Sequence, residues 1–542
     1  MKKYLYLLGI VIFGLILRLI CINKADGLWN DEYVSYMISA KPFFNGFLDG
    51  IKSQCHMPFY YLYLKFFMSV FGQSDILLRL TSVIAGVAAI PVMYFIGKEK
   101  DNTLAYLCSG FTAISSFLIY YSQEVRLYSI LFLFSALSLL YTIKIIKNPV
   151  RKNFILYILF NFLILFTHTI GFVFVFFNLI FLSLNLYEKF KDVIKKVWIC
   201  AFIGGLILSP LVINVFMTES FSQWWGHFSI ARIGFLFTDY FSPVLTNLTN
   251  APDNLFYMPK LAIYMFIPAL IAILGIIKSL INNKFNIQLF SVALFTTIVL
   301  IIASISGKLV FITKYSIEIY PILIYLACYG IQTVNKKWLK NSIIVIYCLL
   351  SVWYLIKSPQ SAPKIRRAEG HKIVADLLNN SELKNGDIIL LQYYDKNRFL
   401  KYFDFSDYYV VSINKGNFYK YLLDGYSYSD TLSNGKNIYK NIFSTYNNPY
   451  FENIINNKII NKLKPGQSVA VIVLDSVSFI NPDMMSEITK NETLYSKQPL
   501  LFLVFSYIKN KTFYDMAKTL TLTRVERKGR WTLIKFTKLN NL

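Results

Sequence analysis

Apolar runs of about twenty residues recur through the first 357 positions of this chain, most of them closed by short loops, and that rhythm dictates the architecture. A helical run of ~20 apolar residues matches the thickness of a bilayer's hydrocarbon core. Spans are expected near 4–22, 76–97, 104–122, 127–146, 154–168, 170–187, 197–217, 260–281, 287–306, 315–334 and 342–357, about 11 in all. Composition agrees, since 55% of the 542 residues are hydrophobic, 17% aromatic and only 16% charged, as in an integral membrane protein. The first run follows Met1-Lys2-Lys3, is broken only by Arg18 and lacks a small-residue cleavage site, so it reads as a retained anchor helix.

Charge gives the orientation. The net charge of +25 would attract nucleic acid in general terms. Its carriers, however, sit in short loops between spans and in the C-terminal third, which favours topology signals and anionic lipid contact. With the N-terminus cytoplasmic, the inner loops hold Lys98 and Lys100, then Lys144, Lys147, Arg151 and Lys152, then Lys189, Lys191, Lys195 and Lys196. Lys278 with Lys284, and Lys336, Lys337 and Lys340, continue the series, whereas the outer short loops are poorer in basic residues. An odd number of spans puts residues 358–542 outside, giving a multi-pass protein of the cell membrane with an extracytoplasmic C-terminal domain. The six cysteines are scattered and show no disulfide or metal-type spacing.

Two shorter helices belong to the first outer loop, about residues 23–75. Pro58–Phe71 is apolar but too short to span comfortably, and Glu32–Ala40 precedes it; both read as interfacial or re-entrant. A membrane domain, 1–357, thus precedes a soluble α/β domain, 358–542, joined through the linker Ser358–Pro363. In the latter, His371–Asn379 has helical spacing, while Asp387–Gln392, Val469–Leu474 and Trp531–Thr537 read as strands. The stretch 404–465, rich in Asn, Tyr, Lys and Ser, has no clear periodicity.

Polar clusters gather on the outer side. They are Asp31-Glu32, the element His56-Met57-Pro58-Phe59-Tyr60-Tyr61, the hairpin Tyr121-Ser122-Gln123-Glu124-Val125-Arg126-Leu127-Tyr128, and Thr167-His168-Thr169. Lys314-Tyr315, entering the tenth span, makes a fifth. Each alone fits a solvated loop, a local ion pair or a headgroup anchor. Several at one rim fit a cavity, because ionisable groups at bilayer depth cost about 2.5–3.5 kcal/mol and so tend to face a cavity or each other.

In order and sidedness these motifs resemble glycosyltransferase family 39, membrane enzymes of the GT-C fold that include protein O-mannosyltransferases and aminoarabinose transferases. The resemblance covers roughly residues 1–200 and continues loosely through Lys314-Tyr315 and Tyr320-Pro321. Where many relatives have paired prolines this chain has Met57-Pro58, and where many have arginine it has Lys314. The resemblance implies an inverting glycosyltransferase with a polyprenyl-phosphate-linked sugar as donor. Asp31 would be the general base, with Glu32 beside it. Arg126, Lys314 and Arg79 would receive the donor phosphate, guanidinium being suited to bidentate phosphate contact. His56, Tyr60, Gln123, Glu124, Tyr128 and His168 would bind substrate. No nucleotide-binding fingerprint occurs and no metal is expected to be obligatory, with a divalent cation left open. Sugar and acceptor (glycolipid, envelope polymer or protein) stay unspecified. An oligosaccharide polymerase or ligase and a non-enzymatic transporter of lipid-linked sugar are the alternatives, the latter weakened by the lack of an internal repeat.

Overall fold

The computed structural model describes residues 2–20, 22, 27–28, 30–42, 57–217, 230–242, 259–306, 311–357, 371–392, 400–413, 459–474, 519–528 and 531–539. His56 and the linker Ser358–Pro363 lie outside them. The chain divides into two compact units, one comprising residues 1–25 and 31–366 and the other residues 26–30 and 367–542.

Among the described residues the regular elements of the first unit are all helices. Its helices are α1 (Lys2–Leu19), α2 (Asn30–Ala40), α3 (Phe59–Phe71), α4 (Asp75–Lys98), α5 (Asn102–Ile114), α6 (Ser116–Ser122), α7 (Tyr128–Lys147) and α8 (Arg151–Thr167). There follow α9 (Gly171–Met217), α10 (Ala231–Phe241), α11 (Pro259–Leu280) and α12 (Lys284–Ile305). A 3-10 turn (Thr313–Ile319) then leads into α13 (Tyr320–Gln332) and α14 (Lys337–Lys357). Among the described residues, five helical stretches are each long and apolar enough to cross a bilayer: 75–98, 128–147, 171–188, 190–213 and 284–305. The pair α5–α6 would make a sixth as one bent span.

Local chemistry explains the departures from straight spans. The expected helix 104–122 bends by 55° between α5 and α6. Ser115 sits at the bend and accepts a hydrogen bond from Leu118 N–H, so α6 starts with its own cap. The carbonyls freed at the end of α5 are taken by Arg18, the charge near the C-terminal end of α1. Its guanidinium donates to Ala113 O and Thr112 O at 3.0 and 3.1 Å, to Gly14 O at 3.0 Å and to Ser122 Oγ at 3.2 Å. A helix end buried in the bundle needs such partners. The two spans expected at 170–187 and 197–217 are the two halves of α9, 171–188 and 190–213, which meet at a break at Phe190 (φ −136°, ψ 40°). Residues 313–319, expected as helix or its approach, wind more tightly as the 3-10 turn.

Close packing is achieved through glycine. A Cβ on Gly275 of α11 would lie 2.7 Å from Ala327 O, and one on Gly330 of α13 would collide with Gly275 O. Small residues at a helix crossing let backbones touch. Gly330→Ala is therefore expected to lower the apparent melting temperature of the purified protein strongly, whereas Gly110→Ala, with open space around it, should leave it unchanged. Between α7, α8 and α9, Ser138 donates to Asn161 Oδ1 at 3.0 Å and Asn178 Nδ2 donates to Ser138 Oγ at 2.9 Å. These bonds satisfy polar groups inside an otherwise apolar bundle.

The second unit carries helix α15 (His371–Asn379) and a sheet of β1 (Ile388–Gln392), β2 (Tyr409–Ile413), β3 (Ser468–Leu474), β4 (Thr521–Lys528) and β5 (Trp531–Thr537). Strand order is β2-β1-β3-β5-β4. β1 runs parallel to both β2 and β3, while β5 is antiparallel to β3 and β4. The apolar runs of β1 and β3 fit interior strands covered on both faces. Ile373, Val374, Leu377 and Leu378 of α15 share one core with Ile389, Leu391, Ala470 and Ile472. Asp387 pins β1 to β3 by accepting from Ser468 N–H and Lys384 N–H, both at 2.9 Å. β2 and β4 were not expected from the sequence.

Candidate active site

Helix α2 begins with the acids. Consecutive helical residues diverge by about 100° around the axis, so Asp31 and Glu32 face different surroundings. Asp31's side chain is 29% exposed, and its Oδ2 lies 3.8 Å from Lys314 Nζ. Glu32's side chain is 2% exposed and locked into a bidentate pair with Arg79, Nε to Oε1 at 2.9 Å and Nη2 to Oε2 at 2.8 Å. Glu32 Oε1 also accepts from Val125 N–H at 3.1 Å, and Arg79 Nη1 donates to Ile22 O at 3.3 Å. The sequence leaves Glu32 to orient Asp31, hold acceptor or pair with a basic neighbour, and offers Arg79 as a phosphate ligand. The structure pairs the two with each other, fastening α2, α4 and the hairpin together.

That hairpin, residues 123–127, carries the second group. Gln123, expected to bind substrate, donates from Nε2 to Arg18 O at 2.9 Å and Ile20 O at 2.8 Å, thereby capping α1. Glu124 is buried, and its backbone carbonyl accepts from Arg126 N–H at 2.8 Å. Ser82 Oγ donates to Arg126 O at 3.2 Å. The Arg126 guanidinium is buried and reaches Asp31 O at 3.3 Å and Ser35 Oγ at 3.4 Å. Among the described residues its Nε has no hydrogen-bond partner. Tyr128 lies between the cations, its ring centre 5.9 Å from the Arg126 guanidinium carbon and 5.7 Å from Lys314 Nζ. Lys314 Nζ also lies 5.2 Å from the Tyr315 ring.

The structure thus brings together Asp31, Arg126, Tyr128 and Lys314. Tyr60 is buried edge-on to its neighbour Tyr61 at 5.8 Å, and Tyr61 is the one of the two that interacts electrostatically with both Arg126 and Asp31. His168 caps the end of α8 and pairs through Nδ1 with Glu318 Oε1 at 2.9 Å, its ring 6.0 Å from that of Tyr315. Two further acids stand here outside the motifs, Glu318 within the 3-10 turn that carries Lys314 and Asp239 beside it. Asp239 Oδ2 accepts from Thr313 Oγ1 at 2.7 Å. Each is a lone acid in an apolar surround, which is the signal that could have found them.

Asp239 stands in the helix α10, outside the spans. Burial raises its carboxyl to about 8, against the lowering effects of the Thr313 hydrogen bond and the Arg232 charge. The folded chain therefore keeps a proton that the unfolded chain releases near pH 3.9. The associated stability is full below that pH and is lost as pH rises towards about 8. Asp239→Asn cannot titrate, so its apparent melting temperature should fall less than that of the wild type between pH 5 and pH 8.

Comparison with known proteins bears on this arrangement. Residues 55–214 match the family described as dolichyl-phosphate-mannose-protein mannosyltransferase. No curated protein matches the chain in sequence. Among solved structures, ArnT from Cupriavidus metallidurans bound to undecaprenyl phosphate superposes with a TM-score of 0.52 at 12% identity, covering 98% of this chain and 98% of that one. The apo form of the same ArnT gives a TM-score of 0.53 at 12% identity, covering 99% of this chain and 98% of that one. At such identity the likeness speaks for the fold. The matched segment holds the hairpin and His168. The chain's family resemblance is thus to glycosyltransferase family 39, and its fold is the GT-C fold of membrane glycosyltransferases.

Proposed function

We propose that this chain transfers a sugar from a polyprenyl-phosphate-linked donor to an acceptor at the extracytoplasmic face of the cell membrane. The reading is carried by one observation: a half-buried carboxylate, Asp31, lies 3.8 Å from Lys314 Nζ, while the same residue's backbone carbonyl accepts from the buried guanidinium of Arg126 at 3.3 Å. An acid next to two cations is what displacement of a phosphate needs. The undecaprenyl phosphate bound to ArnT supports the same lipid carrier here. The distribution of Lys and Arg between loops supports the orientation.

In this scheme the acceptor's hydroxyl or amine attacks the anomeric carbon while Asp31 takes its proton. The bond from that carbon to the phosphate oxygen breaks, and the electron pair leaves with the polyprenyl phosphate. Lys314 and Arg126 stabilise the negative charge that develops there. Tyr128 lines the space between the two cations, and a single displacement inverts the anomeric configuration. Every proton and charge in these steps has a place on the chain's own residues, so the scheme routes nothing through a metal. The Glu32–Arg79 pair holds the hairpin and α2 in register and takes no part in the chemistry.

The test is transfer of radiolabelled sugar by membranes containing the full chain. Undecaprenyl-phosphate hexoses and pentoses should serve as donors and nucleotide sugars should not. Consumption of nucleotide sugars alone, or of no lipid-linked donor in the presence of native envelope acceptors, would overturn the assignment.

A further inference from the structure

We propose that Asp239 and Tyr240 of α10 act as positioning residues that hold Lys314 at the spacing from Arg126 required to grip the donor phosphate. The inference rests on the transferase reading above and adds to it the device that sets the distance between the two cations.

Lys314 lies in the 3-10 turn, a geometry whose hydrogen bonds are weak and whose runs are short. The turn is irregular at Ser316 (φ −108°, ψ 20°), so its shape depends on contacts from outside. Two residues of α10 supply polar contacts on either side of Lys314. Asp239 accepts from Thr313 Oγ1, the side chain immediately before Lys314, at 2.7 Å. The Tyr240 hydroxyl donates to Ser316 O at 2.7 Å, shares a hydrogen bond with Ser316 Oγ at 2.9 Å and lies 3.2 Å from Thr313 O. Lys314 is therefore bracketed on both sides by groups fixed to α10.

The other side of α10 faces the element that leads to Arg126. The Tyr240 ring stacks on Tyr320 at 4.4 Å and meets Phe117 of α6 edge-on at 5.0 Å. The Tyr320 hydroxyl donates to Tyr240 O at 2.5 Å and lies 3.0 Å from Ser115 Oγ at the α5–α6 bend. Ser116 Oγ donates to Ser242 O at 3.3 Å. Helix α6 runs straight into the hairpin that carries Arg126. α10 thus packs against both the turn that carries Lys314 and the helix that leads to Arg126, and among the described residues neither Asp239 nor Tyr240 is hydrogen-bonded to either cation.

Binding of radiolabelled undecaprenyl phosphate to the full chain in nanodiscs tests this. Tyr240→Phe, which keeps the ring and removes the hydroxyl, and Asp239→Leu, which removes the acceptor for Thr313, should each weaken binding by about tenfold per folded molecule. Asp239→Asn retains an oxygen for Thr313 and should bind as the wild type does. Each is also combined with Lys314→Ala. A clamp acting through Lys314 has nothing left to hold in that background, so Tyr240→Phe should cause no further loss there. Losses that add to that of Lys314→Ala, or a lowered melting temperature with unchanged affinity, would overturn the clamp while leaving the transferase reading intact. Absence of binding by the wild type would overturn both.

Discussion

Asparagine at position 31 is expected to reduce sugar transfer by about 10²–10⁴-fold, the usual yield of a positioned general base, with the protein folded and the donor still bound. The substitution is well suited to isolating the chemistry. Asp31's part in holding α2 is played by its backbone carbonyl, which accepts from Ser35 Oγ at 3.1 Å and from Arg126 Nη1 at 3.3 Å, and asparagine keeps that carbonyl. Its carboxylate meets Lys314 at 3.8 Å with both side chains partly exposed, a contact worth little to stability. Glu32 cannot step in, because both its oxygens are engaged by Arg79. Single-turnover transfer of labelled sugar at saturating donor is the measurement. A wild-type rate in Asp31→Asn would remove Asp31 from the role of base. Lys314→Ala should behave differently, raising the donor's KM as well as slowing the step, since the phosphate carries charge before and after the bond breaks.

The helices were legible because their signal is local and repeated. Apolar runs and basic loops gave the positions of most helices from α1 to α14, though not of α10, which lies in what reads as a loop between spans, and apolar runs gave β1, β3 and β5. What escaped is what depends on partners distant in sequence. β2 and β4 are the two edges of the sheet. β4 reads Thr-Leu-Thr-Arg-Val-Glu-Arg-Lys, a charged composition that protects an edge strand and hides it from a hydrophobic pattern. The bend at Ser115 was invisible for the same reason, since the group that compensates it, Arg18, lies nearly a hundred residues earlier.

The site divides along similar lines. Asp31, Arg126, Tyr128 and Lys314 were named from motifs and do converge. Gln123 and Glu32 come from the same motifs, and Arg79 from its place near the outer end of a span, and their side chains are hydrogen-bonded within the scaffold. A motif records that residues matter together without recording which of them face the cavity. For Asp31 and Glu32 helical geometry could have separated the roles, because two neighbours on a helix that closes one side of a site cannot both point into it. For Gln123 no such argument was available, as its partners are the last carbonyls of α1. Asp239 and Glu318 belong to no motif, and only their burial beside Lys314's segment draws them in.

Breaking the Glu32–Arg79 pair should be the most destabilising single change in the membrane unit. Both side chains are almost wholly buried, and removing one partner of such a pair leaves the other charged and dry, at a cost of about 3–5 kcal/mol. Against a typical stability of about 5–15 kcal/mol, Glu32→Ala or Arg79→Ala should leave little folded protein at growth temperature. The double change Glu32→Leu with Arg79→Met removes both charges and fills similar volume, so most of the stability should return. Activity should not return with it. Glu32 also accepts from Val125 N–H, next to Arg126, and an apolar side chain cannot hold that backbone in place. Melting temperature and transfer rate should therefore separate: low and low in the single variants, near normal and low in the double. A double variant restored in both would mean that the hairpin needs no anchor from α2, and that Arg126 is set by Ser82 and the helices around it alone.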